Sequence, residues 1–150
     1  MLSEYALGLQ LGTYSGGTWG HDDLASPAYV IALVKKFRAM GIPMDILFLD
    51  STWRLFEAGG HGATTFEWQA AFADPKRMFD TLYAMHLHAV GLHIRPRLDN
   101  GPRYQLLSHA QAAHVTYPED GKPGEFPNYF DTTAVNWWWD HAAMKVASQG

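Results

Sequence analysis

The chain has 150 residues, 47% hydrophobic and 17% charged, enough to fill the core of one domain and too apolar to be disordered by composition. Its 11 basic and 15 acidic residues give a net charge of −4 with no basic run, which argues against a nucleic-acid surface, because phosphate binding needs clustered Lys and Arg. There is no cysteine, so disulfides, thiolate metal sites and a Cys nucleophile are excluded.

No charged segment followed by an apolar run opens the sequence, and no stretch of about 18 apolar residues suggests a membrane span. Ala6–Leu11 reads as a buried strand bounded by Gly12. A Gly-rich loop follows over Thr13–Ala25. Ser26 and Pro27 then supply an N-cap and a first-turn proline, and Val30, Ile31, Leu33, Val34, Phe37 and Met40 recur at helical spacing until Gly41 and Pro43.

Met44–Asp50 is a nearly continuous apolar run, as in a strand covered on both faces. Asp74 and Pro75 open a second helix that turns Met78, Phe79, Leu82 and Tyr83 inward. Ala89–Ile94 reads as a third strand. A third helix runs from about Thr133 to Ser148, with Val135, Trp138, Trp139, Ala142 and Val146 on one stripe. Strands alternating with helices make an α/β fold with a parallel sheet, either an open doubly wound sheet or part of a (β/α)₈ TIM barrel. The order ends where a fourth strand is expected, which points to a piece of a larger fold.

The loop around Gly12, Gly16, Gly17 and Gly20 fits no G-x-G-x-x-G, and in the P-loop register Thr18 stands where the phosphate-binding lysine is required. The helix also starts too late to put its N-terminus against a phosphate. The glycines ease a tight loop, or bring Tyr14 close to a ligand.

In a parallel α/β fold the binding groups sit at the C-terminal ends of strands. Those ends carry Tyr14, then Asp50, Ser51, Thr52 and Trp53, then Arg95, Pro96, Arg97, Leu98 and Asp99. Carboxylates that accept hydroxyl hydrogen bonds and rings that cover apolar sugar faces are the equipment of a carbohydrate site. The plainer alternatives are a turn acceptor at Asp50 and a mutual ion pair between Arg95 and Asp99. His86, His88, His93, His109 and His114 form no metal-ligand spacing, so neither a metal nor another cofactor is expected. His109 and His114 read as part of a polar loop. The run Trp137–Trp139 reads as packing, with one ring in the core and another partly exposed.

At these residues the chain resembles the catalytic barrel of glycoside hydrolase family 31, the α-glucosidase and α-xylosidase family. LGLQLGTYSGG is similar to a first barrel strand ending at Tyr14. KKFRAMGIPMDILFLDSTW resembles the segment R-x-x-G-I-P-x-D-x-x-x-x-D, and FEWQAAFADPKRMFDTLYAMHLHAVGLHIRP the stretch that leads into the third strand. GEFPNYFDTTAVNWWWD resembles the segment before the fourth strand. Four motifs in the right order cover nearly the whole chain.

The resemblance implies about the first three of eight βα units, with residues 1–150 forming an N-terminal part of the barrel that stops before the fourth strand. It implies a retaining enzyme acting on α-glycosidic bonds. Asp50 matches a carboxylate that holds sugar hydroxyls in subsite −1, Tyr14 an aromatic of the same subsite, and Leu98 an apolar wall position. With Trp53, Arg95 and Asp99 these are the candidate substrate-binding residues. The sequence departs from the family pattern at Ser51–Trp53, where I-D-Y is commoner, at Asn128, where Asp is usual, and at Arg95–Arg97.

The resemblance places the nucleophile after the fourth strand and the acid/base later still, so no catalytic residue is expected within 1–150. Asp131 and Asp140, at or within the third helix, do not replace them. The expected partners are an oligosaccharide or glycoside substrate and the remainder of the barrel, with neither nucleic acid nor membrane, and the chain alone is expected to be inactive. A non-catalytic sugar-binding or structural half-barrel is the alternative, and a nucleotide-binding sheet is disfavoured by the Gly-rich loop.

Overall fold

A computed structural model describes residues 4–13, 26–55 and 63–150. They divide into two compact units, one drawn from the described residues of 1–53, 68–94 and 150, the other from those of 54–67 and 95–149. Among the described residues no helix is long and apolar enough to cross a membrane.

The first unit is a three-stranded parallel sheet in the order β1 (Gln10–Thr13), β2 (Ile46–Leu49), β3 (Ala89–Leu92). Its helices are α1 (Pro27–Ala39) and α2 (Pro75–Ala84). Both start as their sequences demand. Pro27 and Pro75 occupy the first turns, while Ser26 and Asp74 accept from the amides of Tyr29 and Arg77. Val30 and Val34 of α1, Met78, Phe79 and Leu82 of α2, and Leu47 and Leu49 of β2 are buried and form the core.

The first strand departs from the sequence reading. Glu4–Leu7 forms a turn of 3₁₀ helix, over which the Gln10 side-chain Nε2 donates to the Ala6 carbonyl at 2.7 Å, and the strand begins only at Gln10. Leu7 is 81% exposed, so this apolar run is not core. The reason lies at Asp45, whose carboxylate accepts from the Leu9 amide at 3.1 Å and presses against Gly8, where any Cβ would overlap it. An apolar run of six residues cannot by itself distinguish a strand from a helical turn.

The N-terminal ends of the strands are tied together. The Arg38 guanidinium donates from Nη2 to the carbonyls of Met44 (2.7 Å) and His86 (3.0 Å), and from Nε to that of Met85 (3.0 Å). One side chain of α1 thereby fixes the chain entering β2 and the turn leading into β3. Backbone bonds from Asp45 N to the Leu9 carbonyl (2.9 Å) and from His88 N to the Asp45 carbonyl (2.8 Å) complete the tie.

The second unit contains a helix where a polar loop is expected around His109 and His114, and a hairpin for which the sequence offers no strand pattern. These are α3 (Leu106–Ala112), which carries His109, and an antiparallel hairpin of β4 (Thr116–Glu119) and β5 (Lys122–Pro127). Pro118, Pro123 and Gly124 disguise the hairpin as coil, because they are breakers in most strands. Its turn is Asp120–Gly121, with φ of 49° and 74°, the paired positive values of a two-residue hairpin turn.

The last helical segment is α4 (Thr132–Trp138), a π-turn over Trp139–Ala143, and α5 (Met144–Ala147). The wider π-turn breaks the 3.6-residue phase. Ala134, Ala142, Ala143 and Val146 are buried, whereas Val135 and Trp139, placed on the inner stripe by sequence, are exposed. Trp138 is half-buried between Phe66 and Tyr129, with ring centroids 6.1 and 5.8 Å away.

Candidate functional site

Asp50 follows the last residue of β2. The parallel register, with Leu49 opposite Leu92, carries Asp50 opposite His93, and a backbone bond from His93 N to the Leu49 carbonyl (2.8 Å) extends the ladder to that point. Asp50 Oδ1 lies 3.1 Å from His93 Nδ1 and accepts from the Ser51 amide at 2.5 Å. The two side chains remain 39% and 43% exposed. The result is an oriented carboxylate, open to water, at the C-terminal end of the middle strand.

Ser51–Trp53 turns away as a short 3₁₀ segment. Trp53 does not offer a ring face to solvent as the sequence suggested: it is 0% exposed. Its ring packs on Trp68, with centroids 4.8 Å apart, and Trp68 meets Phe72 and Phe79 at 5.7 and 5.9 Å. The indole Nε1 donates to the His93 carbonyl at 2.9 Å, so burial does not orphan it. Trp53 is thus a core residue that anchors the turn behind Asp50. Tyr14 lies outside the described residues.

Arg95, Leu98 and Asp99 belong to the second unit. There the segment after β3 is clamped by Thr64, which is fully buried. Thr64 Oγ1 accepts from Arg95 N (2.7 Å) and faces the Arg95 carbonyl (3.1 Å), while its backbone pairs with Arg97 O (2.8 Å) and Asp99 N (3.2 Å). Leu98 is 1% exposed.

Asp99 does not pair with Arg95: its Oδ1 accepts from the Asn100 amide at 2.8 Å, and among the described residues no ion pair joins the two. Arg97 pairs with Glu125 at 2.8 Å. Glu67, buried to 7% exposure, accepts from Arg103 Nε (2.6 Å), Arg103 N (3.3 Å) and Tyr104 N (2.9 Å), so one buried carboxylate fixes the turn into α3.

Sequence reasoning missed His93, Thr64 and Glu67. His93 read as a strand residue, and its position opposite Asp50 follows only from the register. An apolar concavity of about 220 Å³ lies among Tyr117, Phe126, Pro127, Asn128, Tyr129 and Phe130. Asn128 is its one amide, too little polar equipment to orient a sugar's ring of hydroxyls. Burial raises the Tyr104 and Tyr129 phenols above their ordinary range.

The sequence matches the model of the glycosyl hydrolases family 31 TIM-barrel domain over residues 1–150. No curated protein matches it. Similar solved structures include a family 31 dextranase of Flavobacterium johnsoniae complexed with glucose, at 18% identity and TM-score 0.71, covering 97% of this chain and 18% of that one. A family 31 α-xylosidase from Xanthomonas citri is 19% identical, with TM-score 0.69 over 100% of this chain and 16% of its own. A glucosidase II α subunit is 22% identical, with TM-score 0.67 over 90% of this chain and 14% of its own. The chain spans under a fifth of the length of each of these three proteins. At such identities the likeness establishes the fold: the three parallel strands are part of a TIM barrel.

Proposed function

The chain belongs to glycoside hydrolase family 31, and from that premise we propose that it forms part of the sugar-binding subsite −1 of a retaining α-glycosidase. The observation that carries this reading is Asp50, a half-exposed carboxylate held in one orientation at the C-terminal end of β2. An ionised carboxylate only accepts, and so takes sugar hydroxyls as donors. Its fixed rotamer lowers the ordering cost of binding. The glucose in the dextranase and the xylose bound to a soil-metagenome α-xylosidase support a pyranose as the ligand class.

Tyr14 is proposed as an aromatic of the same subsite, and Trp53 as the anchor behind Asp50. Arg95, Leu98 and Asp99 are proposed as substrate-binding residues of the second unit, with Leu98 as apolar backing. The whole enzyme hydrolyses an α-glycosidic bond through a covalent glycosyl-aspartate, which requires two carboxyls about 5 Å apart. Both carboxyls come from outside residues 1–150. Asp131 is occupied as the N-cap of α4 and Asp140 sits in the π-turn, and neither serves as a substitute.

NMR titration of the 150-residue chain with glucose and with xylose tests the binding claim. Saturable shifts at the Asp50 and His93 amides are expected, and their absence with both sugars overturns the subsite reading. No turnover of an aryl α-glycoside is expected from the same sample, and measurable turnover overturns the assignment of the catalytic pair to residues outside the chain.

A further inference from the structure

A single residue at the C-terminal end of the sheet holds both Asp50 and Trp53. His93 faces the Asp50 carboxylate with its ring at 3.1 Å and accepts the Trp53 indole on its carbonyl at 2.9 Å. An ionised carboxylate has no proton to give, so the ring nitrogen facing it, Nδ1, is the donor. In the neutral ring this leaves Nε2 as an acceptor. Asp50 Oδ1 lies 3.1 Å from the His93 ring and accepts from the Ser51 amide, two neighbours on one carboxylate oxygen. An exposed pair of this kind adds little to stability. Its consequence is orientation.

We propose that His93 is the positioning residue of the sugar site, with Nδ1–H setting the Asp50 carboxylate and Nε2 serving as a second hydroxyl acceptor beside it. This rests on the sugar-site reading of Asp50 and names the feature recognised: two neighbouring hydroxyls, one donating to the carboxylate and one to the imidazole. The 43% exposure of the ring leaves it accessible to such a ligand.

The tautomer is the first test. Nitrogen-15 NMR of the His93 ring in the 150-residue chain, in its neutral form, is expected to show the proton on Nδ1, and Asp50→Ala is expected to abolish that preference. A proton on Nε2 in the unsubstituted chain overturns the proposal. The second test follows glucose and xylose binding in His93→Asn and His93→Ala through the Trp53 indole resonance, whose own partner is a backbone carbonyl present in all three proteins.

His93→Ala is expected to weaken binding about tenfold, the equivalent of one lost hydrogen bond. His93→Asn keeps a donor where Nδ1 stood, loses the second acceptor, and is expected to fall between. Equal binding by all three overturns the proposal. An unsubstituted chain that shows the Nδ1 proton but responds to neither sugar overturns the sugar-site reading instead, so the two failures are distinct.

Discussion

The two ends of the three-stranded sheet are built on opposite plans. At the N-terminal ends of the strands, polar groups are consumed by the backbone: Arg38 caps three carbonyls and Asp45 ties Leu9. At the C-terminal ends, Asp50 and His93 pair with each other and remain open to water. The segment resembling R-x-x-G-I-P-x-D-x-x-x-x-D spans both ends, with Arg38, Gly41 and Asp45 below and Asp50 one strand length above. One motif therefore carries two duties, and its spacing is the length of a strand. In barrels of this kind the lower face stabilises and the upper face binds.

Breaking the lower end costs most. Arg38→Ala removes the charged donor of three backbone carbonyls and is expected to lower the unfolding free energy by about 3 kcal/mol in urea denaturation. A loss below about 1 kcal/mol would show that water satisfies those carbonyls as well. Gly8→Ala pushes a methyl into the Asp45 carboxylate and is expected to cost about 1–2 kcal/mol, measured the same way. At the upper end Asp50→Ala is expected to change stability by less than about 1 kcal/mol, since its partner is exposed. Equal losses at the two ends would erase the distinction between them.

The smallest effect leaves both ends alone. Burial holds the folded Tyr104 and Tyr129 phenols above their ordinary value of 10.0, so the unfolded chain ionises first. The stability they contribute is complete below that value and is lost as pH rises through the folded values. Thermal melts stepped through the alkaline range are expected to fall less steeply in Tyr104→Phe and Tyr129→Phe than in the unsubstituted chain.

Much of the sheet was legible because its cues are local. Ser26–Pro27 and Asp74–Pro75 supply the cap and first-turn proline of their helices, and Met44–Asp50 is apolar enough to read as a strand, although not one covered on both faces, since Phe48 is 43% exposed. Asp50 could be located because a parallel sheet concentrates function at the ends of its strands. His93 could not be paired with it, because a slip of one residue in the register of β2 and β3 turns the ring to the other face.

Trp53 was ambiguous for a different reason. An indole just after a strand serves equally as a wall for ligand or as core, and only its packing on Trp68 decides. Glu67 gave no sign of burial because its partners, Arg103 and the Tyr104 amide, lie more than thirty residues away. The hairpin was hidden by its prolines, although Asp120–Gly121 is a strong turn signal.

The division of duty between the two ends of the sheet is open to a single comparison of Asp45→Ala and Asp50→Ala that records both melting temperature and NMR response to glucose and xylose. It predicts that Asp45→Ala melts lower and keeps its sugar response, whereas Asp50→Ala melts like the unsubstituted chain and loses the response. A sugar response that survives Asp50→Ala would contradict it.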